Sequence, residues 1–255
     1  MDLKDRVALV AGGTGVLGTA IVRALAGAGA HVAITYLERH EAARETCAAV
    51  EALGRRAWSV TLDQTDAEAI PAAVEAAAKH FGRLDALVNN AGWNISIPFP
   101  DLETLDAAVW DRLFSTNLRG PYLLARAAAA RLKASGAGRI VNIASVAGLQ
   151  GAQPEALRAI AYQTTKGGVV NFTRALAAEW GRHRIVVNAI CPGFIVTEMS
   201  RVTLEKIAPL VKATTPLRQL GEEQDMQGLV VMLSSAAVRH ITGQIIAVDG
   251  GTSIV

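Results

Sequence analysis

Seven short runs of apolar, largely β-branched residues are spread along this chain, and alanine-rich segments of helical length separate them. The runs are apolar throughout rather than alternating, which is typical of strands covered on both faces. Strands of this kind that alternate with helices predict β-α-β units in a parallel sheet. We therefore expect one α/β domain over residues 1–255, with a doubly wound parallel sheet of about seven strands flanked by helices. The strands are placed at residues 6–10, 31–36, 57–62, 84–88, 139–143, 185–190 and 244–248.

Composition excludes several classes of protein. The chain has 255 residues, 51% of them hydrophobic, and a formal net charge of only +2. That balance argues against a protein built to bind a nucleic-acid backbone or a membrane surface. Two cysteines cannot form a disulfide framework, and neither they nor the scattered histidines have the spacing of a metal site. We therefore expect a cytoplasmic protein without a bound metal.

A glycine-rich turn follows the first predicted strand. Gly13, Gly15 and Gly18 satisfy the pattern G-x-G-x-x-G, and a helix-like segment follows directly. Glycines let the backbone approach a pyrophosphate closely, and the start of a helix offers unpaired N–H groups and partial positive charge. The strand–turn–helix context favours a dinucleotide-binding loop over an ordinary glycine-rich turn.

The end of the second strand bears on which dinucleotide is bound. An NAD-binding fingerprint expects an acidic residue about 20 positions after the glycines, to bind the adenosine ribose. Tyr36 stands there, and Arg39 follows closely. A missing carboxylate and a nearby guanidinium favour the 2′-phosphate of NADP. NAD stays possible, because Arg39 and Glu38 could instead be a solvated loop pair.

Tyr162 and Lys166 stand four residues apart in a predicted helix, so their side chains share one face. A free tyrosine has a pKa of about 10, too high for proton transfer near neutrality, and a neighbouring ammonium would lower it. Taken alone, such a pair is usually a surface feature. Other polar residues, however, follow predicted strands at the carboxyl edge of the sheet, where open α/β sheets bind ligands. They are Asn89, Asn90 and Ser145, and Ala91-Gly92 follows the two asparagines.

The ordered set of motifs resembles the short-chain dehydrogenase/reductase family, over essentially the whole chain. It comprises the turn at 11–18, Asp63, the stretch Asn89-Asn90-Ala91-Gly92, Asn117, Ser145, Tyr162, Lys166, Pro192-Gly193 with Thr197, and Val248-Asp249-Gly250-Gly251. The resemblance implies a Rossmann-type fold and a reductase that transfers hydride between NADPH and a ketone. Tyr162 would then be the general acid or base, Ser145 would orient the carbonyl oxygen, Lys166 would hold the nicotinamide ribose, and Asn117 would help hold a proton-relay water.

The resemblance also implies the cofactor-binding residues. Gly12 and Gly18 would bind on the pyrophosphate side, Asp63 the adenine, Asn90 and Gly92 the ribose region, and Ile195 and Thr197 the nicotinamide carboxamide. The full expected set is Gly12, Thr14, Gly15, Val16, Leu17, Gly18, Tyr36, Arg39, Asp63, Asn90, Ala91, Gly92, Tyr162, Lys166, Pro192, Gly193, Ile195 and Thr197. The cofactor expected is NADP, with NAD as the alternative, since many NADP-dependent relatives carry a basic residue where this chain has Gly15.

The substrate side leaves several readings open. The chain is similar to 3-oxoacyl-acyl-carrier-protein reductases, while sugar or polyol dehydrogenases are close rivals. A non-catalytic dinucleotide sensor and an isomerase or dehydratase are weaker alternatives on the same fold. More residues separate Ser145 from Tyr162 than is usual in the family. The extra residues fall in the segment 149–159, which contains Gln153-Pro154-Glu155, and suggest an altered substrate fit.

Two further segments could border the substrate. Trp93, Ile95, Ile97 and Phe99 either line an apolar pocket or cover the sheet edge, and the segment 194–210 corresponds to a mobile lid in relatives. The resemblance also implies a homotetramer, joined through the helices near 104–134 and 162–181 and the last strand.

Overall fold

The computed structural model describes residues 1–95, 101–151 and 159–255. Seven parallel strands form one sheet in the order β3-β2-β1-β4-β5-β6-β7. Their bounds are Val7–Ala11 (β1), His31–Tyr36 (β2), Ala57–Thr61 (β3), Ala86–Asn89 (β4), Arg139–Ile143 (β5), Val186–Pro192 (β6) and Ile245–Val248 (β7). The predicted seven-stranded parallel sheet is confirmed.

Helices cover both faces of this sheet. Among the described residues they span Val16–Gly27 (α1), His40–Ala52 (α2), Ala69–Phe81 (α3), Ala107–Phe114 (α4), Gly120–Ala134 (α5), Ile160–Trp180 (α6), Glu198–Thr214 (α7) and Gln227–Ser234 (α8). None of the helices in these stretches combines the length and the apolar composition needed to cross a bilayer.

Alternation along β1 explains why the strands read as continuously apolar. Val7, Leu9 and Ala11 belong to the core on the α3/α5 face, whereas Ala8 and Val10 belong to the core on the α1/α8 face. Successive side chains of a strand point to opposite faces, so a strand buried on both sides needs an apolar residue at every position.

Three strands end later than their sequences suggest, and β1 does so by one residue, at Ala11. β4 includes Asn89, which pairs with Ala11 and with Asn142, and β6 runs on to Pro192, which pairs with Val248. Asparagine and proline usually interrupt strands, but here Asn89 pairs with a strand on each side and Pro192 pairs with β7. The longer strands carry the polar residues that follow them to one common edge.

That edge contains the point where the strand order reverses. The chain passes from β1 outwards to β2 and β3, and then returns to place β4 on the other side of β1. The crevice at such a point is where open α/β sheets bind their ligands. The loops after β1 and β4 therefore define the place to look for a site.

Candidate active site

The glycine-rich loop is folded tightly against the loop after β4. Gly12 has φ +70, and a Cβ added there would lie 2.8 Å from the Cα of Ala91. A Cβ added at Gly18 would lie 2.0 Å from the carbonyl oxygen of Gly12. Neither position tolerates a side chain without a shift of backbone, so these two glycines are required by the local path of the chain.

Asn90 fixes the same loop from the neighbouring strand. Its side-chain Nδ2 donates to the carbonyl oxygens of Ala11, at 3.2 Å, and of Gly12, at 2.9 Å. Helix α1 starts just beyond, with Gly15 before its first residue and no side chain capping its N-terminus. The first N–H groups of α1 are thus left for an anion, as a pyrophosphate would require.

A cleft of about 820 Å³ opens above these loops. That volume lies in the range of small-molecule and cofactor sites. Every residue predicted to contact the cofactor lines it, from Gly12 to Thr197, and Ser145 lines it as well. The cleft volume, the glycine loop and the uncapped helix start fit an extended dinucleotide.

Ser145 and Tyr162 meet at the far end of this cleft. Ser145 directly follows β5 and Ala144, and its Oγ accepts a hydrogen bond from the Ala147 N–H at 3.1 Å. Tyr162 lies in the first turn of α6, and the Ser145 side chain is close enough to its hydroxyl to lower its pKa. A hydroxyl pair of this kind can hold and protonate a carbonyl oxygen.

Gly148 brings the loop after Ser145 into contact with α6. A Cβ at this position would lie 2.5 Å from the backbone carbon of Lys166 and 2.6 Å from the nitrogen of Gly167. Only a glycine allows the loop to approach this closely. The contact fixes the position of Ser145 relative to Tyr162 and Lys166.

Burial controls the pKa values of the two titratable groups. It raises the pKa of Tyr162 to about 12, an effect that the hydrogen bond from Ser145 opposes. It lowers the pKa of Lys166 to about 8. The Lys166 ammonium donates to the Ile143 carbonyl oxygen at 2.9 Å and lies 5.6 Å from the centroid of the Tyr162 ring. The expectation that Lys166 lowers the pKa of Tyr162 is therefore not met in this arrangement, because desolvation of the phenol dominates.

Asn117 lies behind the cleft rather than in its wall. It is 1% exposed and falls in a π-helical turn, Ser115–Arg119, between α4 and α5. Its Oδ1 accepts from the Trp93 N–H at 2.8 Å, and its Nδ2 donates to the Trp93 carbonyl at 2.8 Å and to the Thr165 Oγ1 at 3.2 Å. Thr165 in turn donates to the carbonyl of Tyr162 at 2.8 Å. This network ties α6 to the loop after β4, and π-helical turns often mark functional sites.

The opposite end of the cleft holds the residues predicted to contact adenosine. The Tyr36 hydroxyl is 3.2 Å from Nδ1 of His40. The Asp63 carboxylate accepts from the backbone N–H and the hydroxyl of Thr65, both at 2.8 Å. Arg39 forms a two-pronged ion pair with Glu198, in which Nη1 lies 3.0 Å from Oε1.

Sequence reasoning missed other residues that line the cleft. Gln64 donates to the carbonyl oxygens of Ala91, at 3.2 Å, and Thr116, at 2.7 Å. The guanidinium of Arg112 stacks over the Trp93 ring at 4.1 Å. No local motif marks these residues, because tertiary contacts bring them to the cleft. The further lining residues are Thr35, Leu37, Glu38, Leu62, Thr65, Thr116, Ile143, Ala144, Glu198 and Ser200.

Several expectations concern other positions. Ile97, Phe99 and most of the segment 149–159, including Gln153, Pro154 and Glu155, lie outside the described residues. Trp93 lines the cleft. Within residues 1–95, 101–151 and 159–255, no three histidine, cysteine or acidic side chains are grouped so that they could hold a metal ion.

Comparison with known proteins agrees with this geometry. A family model described as enoyl-(acyl carrier protein) reductase matches residues 12–253. The 3-oxoacyl-acyl-carrier-protein reductase FabG of Aquifex aeolicus is 36% identical, over 98% of both chains. Gluconate 5-dehydrogenase of Gluconobacter oxydans is 34% identical, over 99% of this chain and 96% of the relative.

A solved structure shows the same architecture. The short-chain type dehydrogenase/reductase from Mycobacterium marinum superposes with a TM-score of 0.91 at 31% identity, covering 98% of this chain and 96% of that one. Sequence likeness and structural likeness thus extend over nearly the full length. The chain belongs to the short-chain dehydrogenase/reductase family, whose members are oxidoreductases that use nicotinamide dinucleotides.

Proposed function

We propose that this protein is an NADP-dependent oxidoreductase that transfers hydride between the nicotinamide and a ketone or secondary alcohol. The observation that carries the proposal is the presence of Ser145, Tyr162 and Lys166 in the wall of the cleft that the glycine loop closes at its other end. Bound NADPH would supply the hydride. The protein's own groups would bind, orient and protonate.

Tyr162 is the general acid of the proposed reduction. A pKa raised to about 12 keeps its hydroxyl protonated at neutral pH, so a proton is available for the carbonyl oxygen as negative charge develops there. Ser145, whose side chain lies beside that hydroxyl, would orient the same oxygen. In the reverse direction Tyr162 must first lose its proton, so alcohol oxidation is expected to accelerate with rising pH.

Lys166 and Asn117 act next to this pair. The Lys166 ammonium, already anchored on the Ile143 carbonyl, would hold the nicotinamide ribose hydroxyls and favour the phenolate during turnover. Asn117 would help hold the water that passes protons from Lys166 to solvent. Its position 3.2 Å from Thr165, directly before Lys166 in α6, supports this role.

The remaining lining residues would hold the dinucleotide along the cleft. All of them line the cleft. In this proposal Gly12, Thr14, Gly15, Val16, Leu17 and Gly18 would surround the pyrophosphate, Tyr36, Arg39 and Asp63 the adenosine, Asn90, Ala91 and Gly92 the ribose region, and Pro192, Gly193, Ile195 and Thr197 the nicotinamide. Arg39 is the residue of choice for a 2′-phosphate, because a guanidinium can grip phosphate oxygens with two parallel hydrogen bonds. NAD is the alternative cofactor.

A 3-oxoacyl thioester is the proposed substrate. The A. aeolicus relative is named for that reduction and matches this chain over almost its full length. The G. oxydans relative is named for gluconate, which supports a sugar or polyol dehydrogenase as the second candidate.

A tyrosine substitution tests the proposed acid. Tyr162→Phe removes one hydroxyl, and we expect turnover of NADPH with 3-oxoacyl thioesters to fall at least a hundredfold. Calorimetric titration should still detect NADP⁺ binding. Tyr122→Phe, at a tyrosine that is 43% exposed on α5, is the matched control and should leave both measurements unchanged. Full activity of Tyr162→Phe would refute the assignment, and a panel of ketones and alcohols with NADPH and NADH would identify the substrate class.

We also propose the cellular setting. Both cysteines of the chain, Cys47 and Cys191, are free thiols, which supports a reducing, cytoplasmic compartment. Assembly into a homotetramer and action as one domain are proposed from the resemblance to the family. The largely exposed side chains of Ile254 and Val255, which follow β7 in the chain, support burial of that region between copies.

A further inference from the structure

The ion pair between Arg39 and Glu198 spans the mouth of the cleft. Arg39 precedes α2, on the loop after β2, and Glu198 is the first residue of α7, on the loop after β6. Three strands, β1, β4 and β5, separate β2 from β6 in the sheet. Four strand spacings amount to about 19 Å at the sheet. The two loops therefore converge over the cleft, and the pair joins its two walls.

The charge at this place is unbalanced. Three carboxylates, of Glu38, Asp63 and Glu198, line the cleft, and Arg39 carries the guanidinium at its adenosine end. Both terminal nitrogens of Arg39 are occupied by the Glu198 carboxylate. A phosphate that is to be gripped by the same two nitrogens must replace this carboxylate.

The pair is weak enough to be replaced. Its side chains are 48% and 60% exposed, and exposed ion pairs in proteins contribute little. A phosphomonoester carries more charge than a carboxylate and offers more acceptor oxygens. A phosphate can therefore displace the Glu198 carboxylate from Arg39. Because the Arg39–Glu198 pair must first be broken, however, the phosphate binds less tightly than it would to a free Arg39.

Movement of Glu198 affects the other end of the cleft. Thr197, the preceding residue, caps α7: its Oγ1 accepts from the Ser200 N–H at 3.2 Å, and its own N–H donates to Ser200 Oγ at 2.9 Å. Ser200 also donates to the Ile195 carbonyl at 2.6 Å. The start of α7 is thus one stiff unit that contains Glu198 and two residues proposed to meet the nicotinamide.

We propose that Glu198 is a specificity residue that competes with the 2′-phosphate of NADP for Arg39, and that their exchange releases the start of α7. The proposal rests on the dinucleotide-binding function proposed above. NAD, which lacks this phosphate, leaves the pair intact. Glu198 consequently reduces the preference for NADP over NAD and couples the adenosine end of the cleft to α7.

Fragment binding separates this effect from catalysis. Calorimetry would measure adenosine 2′,5′-bisphosphate and 5′-AMP against the wild type, Glu198→Gln and the control Glu205→Gln. Glu205 is also an exposed carboxylate on α7, paired with Arg201 at 3.6 Å, and it does not line the cleft. We expect Glu198→Gln to bind the bisphosphate about two- to fivefold more tightly, the equivalent of one exposed ion pair. AMP affinity, and every affinity of Glu205→Gln, should stay unchanged.

Hydrogen exchange of the unmodified protein gives an independent readout. Saturating bisphosphate should increase amide exchange in the first turn of α7, around residues 198–201, whereas AMP should not. The proposal would be overturned if Glu198→Gln gained affinity equally for both ligands or for neither. It would also be overturned if both ligands left the amides of α7 equally protected from exchange. Failure of every variant to bind NADP⁺ or NAD⁺ would instead refute the proposed function.

Discussion

Replacing Lys166 by methionine should abolish activity and stabilise the fold. Lys166 is only 5% exposed, and burial lowers its pKa from 10.5 to about 8. A shift of about 2.5 units corresponds to a penalty of about 3 kcal/mol for keeping the ammonium charged inside the protein at pH 7. Methionine has a similar length and carries no charge, so it removes that penalty.

One loss offsets part of this gain. The Ile143 carbonyl no longer receives the hydrogen bond that Lys166 donates at 2.9 Å, which costs about 1 kcal/mol. Lys166→Met should therefore be about 2 kcal/mol more stable than the wild type at pH 7. For a chain of this size that corresponds to an increase in Tm of roughly 4–8 °C.

The same reasoning predicts how the difference depends on pH. Between pH 8 and 10.5 the folded wild type has lost the Lys166 proton while the unfolded chain still binds it. The unfolded state binds more protons there, so wild-type stability rises with pH relative to the variant. The advantage of Lys166→Met should disappear by about pH 10.

Urea unfolding followed by tryptophan fluorescence at pH 7 and pH 10 would measure both effects. Protein concentration must be equal throughout, because any assembly of copies would stabilise the folded state. Lys206→Met, at an exposed lysine on α7, is the control and should show no pH-dependent difference. A variant less stable than the wild type at pH 7, or a difference that is the same at both pH values, would refute the reasoning.

Three other predictions concern the site. Gly18→Ala places a Cβ 2.0 Å from the carbonyl of Gly12, so NADP⁺ affinity measured by calorimetry should fall at least tenfold, with a loss of stability of about 1–3 kcal/mol; unchanged binding would contradict the loop geometry. Thr165→Val removes one hydrogen-bond partner of Asn117, so it should lower kcat and reduce the free energy of unfolding by about 1–3 kcal/mol. Thr165→Ser should restore both, and equal behaviour of the two variants would show that the hydroxyl has no such role. Cys191 is fully buried and burial raises its pKa to about 11, so a thiol reagent at pH 7.5 should label it only after unfolding, and rapid labelling of the native protein would contradict this.

The sheet could be predicted from the sequence because two-sided burial leaves a distinct pattern. All seven strands fall within about two residues of their predicted positions. The largest errors are in β4, which begins two residues later than predicted and includes Asn89, and in β6, which runs two residues further, to Pro192. The low strand preference of asparagine and proline predicts that each strand has ended, but pairing with a neighbouring strand extends both of them.

The glycine loop and the Ser145–Tyr162–Lys166 group could be predicted because each is defined by spacing along the chain. Arg112 and Glu198 could not, since only the tertiary structure brings their helices to the cleft. The predicted lowering of the Tyr162 pKa by Lys166 differs from the structure for a related reason. Sequence spacing shows that a lysine is near, but it does not show how much water both groups lose on burial.

Gly148 makes the positions of Ser145, Tyr162 and Lys166 independent of the chain segment that connects Ser145 to α6. Because the loop after Ser145 rests directly on the backbone of α6 at Lys166 and Gly167, this contact holds the side chains proposed for catalysis in register. Residues can be inserted or exchanged between Gly148 and Ile160 without resetting the proton-transfer geometry. If the proposed site is correct, a changed substrate preference would then require changes only in this connecting segment and not in the proton-transfer residues.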